Sequence, residues 1–120
     1  MTRIAVLAGT AVAALALVAS SSATSGATKL QGDVGPGFTI HLKKAGKTVT
    51  KLTPGSYSIT VADKSPIHNF HLTGPGVNKE ITSVSFQGTK TVTVTLKKGK
   101  YTYQCDPHAA QGMKHTFRVT

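Results

Sequence analysis

The chain has 120 residues, 14 lysines and arginines against 4 acidic residues, a formal charge of +10 and a single cysteine. That length holds one domain, and one cysteine cannot close an internal disulfide. A basic surface attracts anions, but the lysines are spread along the chain with no arginine cluster, which argues against a nucleic-acid role.

The chain is expected to begin with a leader rather than a folded element. Met1-Thr2-Arg3 is a short basic start, Ile4 to Val18 is almost entirely Ala, Val and Leu, and Ser20 to Ala27 is small and polar. This is the order of a secretory signal peptide. The apolar run is shorter than the ~20 residues a spanning helix needs. Cleavage is expected after Ala23, with Ala27 as the later site, so residues 1–23 form the leader and 24–120 one domain. No second apolar run follows. The mature protein is therefore expected to be secreted, soluble, without a transmembrane segment, and monomeric.

Beyond the leader the apolar residues recur with period two, the mark of half-buried strands. Phe38, Ile40 and Leu42 alternate with polar neighbours; so do Tyr57, Ile59 and Val61, then Phe70 and Leu72, then Val92, Val94 and Leu96, then Tyr101, Tyr103 and Cys105, and finally Phe117 and Val119. Gly35-Pro36-Gly37, Ala45-Gly46, Pro54-Gly55, Gly74-Pro75-Gly76, Gln87-Gly88 and Lys98-Gly99 supply turns between them. No stretch of the mature chain has a convincing helical period. The pattern predicts an all-β, antiparallel Greek-key β-sandwich of about seven to eight strands.

Chemistry concentrates in Cys105-Asp106-Pro107-His108-Ala109-Ala110-Gln111-Gly112-Met113. A thiolate, an imidazole and a thioether on one short loop form a soft, mixed donor set, which suits copper better than magnesium, calcium or manganese. A blue-copper site takes two histidines, one cysteine and a weak axial methionine, so a second histidine is needed. His68 shares parity with the apolar Phe70 and Leu72 and should project inward, which makes it the better candidate. His71 shares parity with Asn69 and should point outward. His41 lies on a polar strand face and should be solvated, and His115 shares parity with Phe117 and Val119 beside the loop. A ligand would also protect a lone extracellular thiol from oxidation and add folding free energy.

On two stretches, His68-Asn69 entering an apolar strand and Tyr103-Gln104-Cys105-Asp106-Pro107-His108 continuing to Gly112-Met113, the sequence resembles the cupredoxins, and within them plastocyanin and its small bacterial relatives. The resemblance implies one type 1 copper ion held by His68 through Nδ1, Cys105 as thiolate, His108 from the exposed loop and Met113 as weak axial ligand. Asn69 and Pro107 would stand behind these ligands, with Asn69 fastening the two ligand-bearing segments together. The sequence departs from plastocyanin at several points. Ile67 separates Pro66 from His68, Gln104 stands where an aromatic is usual, Asp106 replaces Ser or Thr, and no acidic patch is present, so photosynthetic electron transfer is not implied. The expected role is single-electron transfer between redox partners, with an acidic partner guided by the lysines. The alternative is an extracellular copper carrier or buffer without redox duty, in which His71 or His115 could add ligands. No acid, base or nucleophile set for substrate activation is visible, so an enzyme is not expected.

Overall fold

The computed structural model describes residues 26–120, and the expected leader lies outside them. Ten strands alternate with short turns: β1 Thr28–Val34, β2 Ile40–Lys44, β3 Lys47–Thr48, β4 Lys51–Leu52, β5 Gly55–Asp63, β6 Phe70–Gly74, β7 Val77–Thr82, β8 Gly88–Leu96, β9 Gly99–Gln104 and β10 Lys114–Val119. They form two five-stranded sheets, ordered β3-β2-β1-β5-β8 and β4-β10-β9-β6-β7. Both sheets are mixed, because β1 runs parallel to β5 and β4 parallel to β10. The strand count exceeds the expected seven to eight partly because β3 and β4 are two-residue pieces too short to leave a pattern. The parallel pairs are equally hidden in an alternation that reports faces but not direction.

Period two is visible in the burial. In β5, Tyr57, Ile59, Val61 and Asp63 are buried while the residues between them are not. Tyr57, Ile59 and Val61, with Leu30, Leu42, Leu72, Leu96 and Phe117, fill the space between the sheets. β1 is absent from the sequence-level expectation because Gly32 occupies one of its inward positions. A Cβ there would stand 3.0 Å from the Phe70 ring, so the missing side chain is where that ring packs.

Tyr101 joins the end of β8 to the turn after β6. Its hydroxyl donates to the Pro75 carbonyl at 2.7 Å and accepts from the Lys97 N–H at 2.9 Å. Its ring lies flat over Gly74, where any Cβ would collide with three ring carbons. Gly74→Ala is therefore expected to displace the ring and both hydrogen bonds, at a cost of about 2 kcal/mol. A thermal melt should show a fall of roughly 8–16 °C, on the ~4–8 °C per kcal/mol of a domain this size. An unchanged melting temperature would mean that the corner does not hold the sheets.

Candidate metal centre

One end of the sandwich collects the donor residues. His68 immediately precedes the Asn69–β6 segment, Cys105 follows β9, and Met113 precedes β10. Between Cys105 and Met113 the chain makes a 3-10 turn, Asp106–Gln111, with Pro107 in its first positions. This short helical segment was not expected from the sequence, since six residues are too few to display a helical period. The loop closes on itself: Cys105 N–H donates to the Met113 carbonyl at 3.0 Å, and His108 N–H to the Cys105 carbonyl at 3.1 Å. Gly112 ends the turn at φ 95°, in the left-handed region, and its N–H donates to the Ala109 carbonyl at 3.2 Å.

The loop brings three donor atoms together. His68 Nδ1 and His108 Nδ1 lie 2.9 Å apart, and Cys105 Sγ lies 3.6 Å from the first and 3.5 Å from the second. His68, Cys105 and His108 form one group of potential metal ligands. Met113 is fully buried beside them, tied to Cys105 through its carbonyl. A point equidistant from the three donors would lie about 2 Å from each, the length of a metal–imidazole bond. Two imidazole nitrogens and a thiol sulfur aimed at one point can share few protons among themselves. A soft cation satisfies all three lone pairs at once, so the residues present fit copper.

His68 and Cys105 are fully buried, and His108 is only half-buried. Phe38 covers the histidines, its ring centroid 5.3 Å from that of His68 and 4.7 Å from that of His108, both edge to face. Grouping Phe38 with the inward residues of its run does not hold. Strand β2 begins only at Ile40, and Phe38 is 55% exposed. Its place over the site was not legible, because the turn before it breaks the parity count. Beneath the donors, Phe70 and Tyr103 stack with centroids 5.5 Å apart and planes 2° from parallel.

Asn69 is fully buried rather than outward-facing like a strand residue of its parity, because β6 begins one residue later and its register shifts between Phe70 and His71. Its Oδ1 accepts the Asp106 N–H at 2.7 Å, and its Nδ2 donates to Asp106 Oδ2 at 2.9 Å and Glu80 Oε2 at 3.1 Å. Asp106 also accepts from Gln104 Nε2 and from His71 Nδ1, each at 2.9 Å. His71 Nε2 donates to Asn78 Oδ1 at 2.6 Å. His71 thus serves the ligand loop through Asp106 and is not among the grouped donors. Nor is His115, which is exposed against the Tyr103 ring. His41 is not simply solvated either: its Nδ1 pairs with Asp33 at 2.9 Å across the β1–β2 ladder.

Both His71 nitrogens face acceptors, the arrangement of a protonated imidazole. Burial opposes its charge, but hydrogen bonds to Asn78 and Asp106 and the charges of Asp106 and Glu80 outweigh it and raise the pKa. Burial likewise opposes charge on Asp106, yet hydrogen bonds from Gln104, Asn69 and His71, and the His71 charge, hold its carboxyl low. The raised histidine stabilises the fold fully below about pH 6.5, its unfolded value, and loses that contribution as pH rises through its higher folded pKa. The lowered carboxyl stabilises above about pH 3.9 and loses its contribution as pH falls through its lower folded pKa. Urea unfolding of the copper-free protein is therefore expected to show stability declining as pH rises above about 6.5, and Asp106→Asn should flatten that decline. An equal decline in the variant would place its origin outside the pair.

Asp63, buried at the same end, accepts from the Ser65 N–H at 3.1 Å. Burial pushes its carboxyl up, against the opposing influence of Ser65, Thr82 and the charge on His68.

A family model described as copper binding proteins, plastocyanin/azurin family, matches residues 39–120. Among solved structures, reduced rusticyanin is 20% identical with a TM-score of 0.57, covering 77% of this chain and 78% of that one. Rusticyanin from Thiobacillus ferrooxidans is 22% identical with a TM-score of 0.51, covering 77% of this chain and 76% of that one. At these identities the likeness is one of fold. No curated protein sequence matches the chain.

Proposed function

Because the chain belongs to the plastocyanin/azurin family of copper-binding proteins, we propose that it is a secreted blue copper protein that carries single electrons between redox partners. The cofactor is one copper ion in a type 1 site. The observation that carries the functional reading is the convergence of Cys105 Sγ with the two histidine Nδ1 atoms in a buried triangle open on one side. His68, Cys105 and His108 would hold the ion, with Met113 as the weak axial ligand. Copper bound there supplies one-electron chemistry by alternating between Cu(I) and Cu(II).

The chain's own part is to hold the donors still and keep water out. His68 and Cys105 are fixed by the strands they adjoin, and His108 and Met113 by the backbone hydrogen bonds of the loop. Rigid donors change little on gaining or losing an electron, which favours fast transfer. His108 is the donor that reaches the surface, so electrons would pass through its imidazole edge. Around it, Phe38, Ile67 and the loop alanines make a weakly polar face on which a redox partner can sit. Lys64, Lys90 and Lys114 are the basic residues at this end, and an acidic partner would meet these.

Titrating the copper-free protein with Cu(II) under visible absorption and electron paramagnetic resonance tests this reading. An intense blue band with narrow copper hyperfine splitting is expected. Pale binding with ordinary splitting would instead favour a carrier, and no binding of either copper oxidation state would overturn both.

A further inference from the structure

Among the described residues, the buried polar side chains are Asp63, Ser65, His68, Asn69 and Thr82. The metal centre accounts for His68 and Asn69 but not for Asp63. That residue takes the last inward position of β5, after Tyr57, Ile59 and Val61. A carboxylate placed there, where the core is otherwise apolar, is costly unless its oxygens are paired. Asp63 Oδ1 accepts the Ser65 N–H at 3.1 Å, but Oδ2 has no hydrogen-bond partner among the described residues. The other buried side-chain atom in that condition is His68 Nε2. Gly35 packs against this edge of the ring: a Cβ on it would stand 3.2 Å from His68 Cδ2, the carbon bonded to Nε2, and 2.9 Å from Ser65 Cβ. Ser65, whose N–H holds Asp63, therefore lies close to the Nε2 edge of His68.

Ligation decides which ring nitrogen carries the proton. His68 Nδ1 faces His108 Nδ1 at 2.9 Å and Cys105 Sγ at 3.6 Å, so it is the nitrogen that offers a lone pair to the metal. A neutral imidazole then carries its proton on Nε2, and a buried N–H needs an acceptor. We propose that Asp63 is a positioning residue for His68: its carboxylate accepts from the Nε2–H through one buried water and fixes the tautomer that leaves Nδ1 free for copper. The inference rests on the copper reading of the site. The two atoms make no direct hydrogen bond, and together they supply the two polar partners that a buried water requires. A carboxylate behind a ligating histidine orients the ring and raises the basicity of its ligating nitrogen. The negative charge of Asp63 also favours Cu(II) over Cu(I), because the oxidised site carries one more positive charge.

Two variants of Asp63 test this. Asp63→Asn keeps the shape and removes the charge. Asp63→Leu removes the acceptor as well, and a well-packed apolar group in place of a buried charge is often neutral for stability. Asp33→Asn is the control: Asp33 pairs with Ala62 from the neighbouring strand and lies half-buried on the outer face. At about pH 8, well above the ordinary carboxylate range, Asp63→Asn should lower the affinity for Cu(II) relative to Cu(I) about tenfold. That is a rise in reduction potential of about 59 mV, and Asp33→Asn should leave the potential nearly unchanged. In the copper-free protein, nitrogen NMR of the imidazole rings should find the His68 proton on Nε2, and in Asp63→Leu a mixture of the two tautomers. The tautomers are read without metal, so a protein that bound no copper would overturn the copper reading while they still decided whether Asp63 orders His68. An equal change of potential in Asp63→Asn and Asp33→Asn, a parent proton on Nδ1, or a tautomer unchanged in Asp63→Leu would each overturn the proposal.

Discussion

Cys105→Ser is expected to abolish the blue absorption of the copper-loaded protein while leaving the fold intact. The blue band needs charge transfer from a thiolate, and a serine hydroxyl neither ionises near neutral pH nor matches a soft metal. The substitution should be structurally mild. Cys105 holds the loop through backbone bonds to Met113 and His108, which a serine keeps. A serine hydroxyl would stand near the two imidazole nitrogens now beside Sγ and could hydrogen-bond there, so the copper-free variant should lie within about 1 kcal/mol of the parent. The discriminating readout is the thermal shift on adding metal. Copper at a hundred times its dissociation constant stabilises the native state by about 2.7 kcal/mol. The parent should gain melting temperature and the variant little. A variant that kept both the colour and the shift would remove Cys105 from the ligand set.

The site was legible where it depends on local spacing and illegible where it depends on long-range contact. His68 is buried, as its parity with Phe70 and Leu72 suggested, but it lies two residues before β6 and Asn69 of the opposite parity is buried as well, so alternation pointed to the right residue without describing the segment that holds it. Cys105 and Met113 could be grouped because only seven residues separate them, and the loop closes with the Cys105 N–H on the Met113 carbonyl. Phe38 was misplaced because parity was carried across a turn into a strand that begins at Ile40. Asn69 as the tie between the two segments was implied by the resemblance, but the parts of Asp106 and His71 in that tie were not, because Asn69 and His71 lie 37 and 35 residues from Asp106 and only the β6–β9 pairing brings them together. The sheets show the same division. β5 and β8 announce themselves by alternation. β1 is masked by Gly32, and β3 and β4 exist only because a neighbouring strand offers hydrogen-bonding partners.

Asn69 is where fold and site are joined most tightly, and Asn69→Ala is expected to damage both. Three hydrogen bonds end on its amide, two of them to carboxylates. Alanine would leave the part-buried Asp106 N–H without its partner and set the Asp106 and Glu80 carboxylates near each other with no donor between them. Both carboxylates reach solvent and can be hydrated, so the N–H dominates, and the total cost should be about 3 kcal/mol. In a thermal melt this corresponds to a fall of roughly 12–24 °C. The same change frees the start of the 3-10 turn next to Cys105, and the donor triangle loosens with it. Loss of an outer contact of this kind typically costs ten- to a hundredfold in metal affinity, and competition with a copper chelator would show it. Asn69→Asp should not rescue the site: it keeps an acceptor for the Asp106 N–H but adds a third negative charge beside Asp106 and Glu80. If the alanine variant instead melted within a degree or two of the parent and held copper as tightly, the loop would be fixed by its own backbone bonds, and the Asn69 amide would be filling space rather than joining the two ligand-bearing segments.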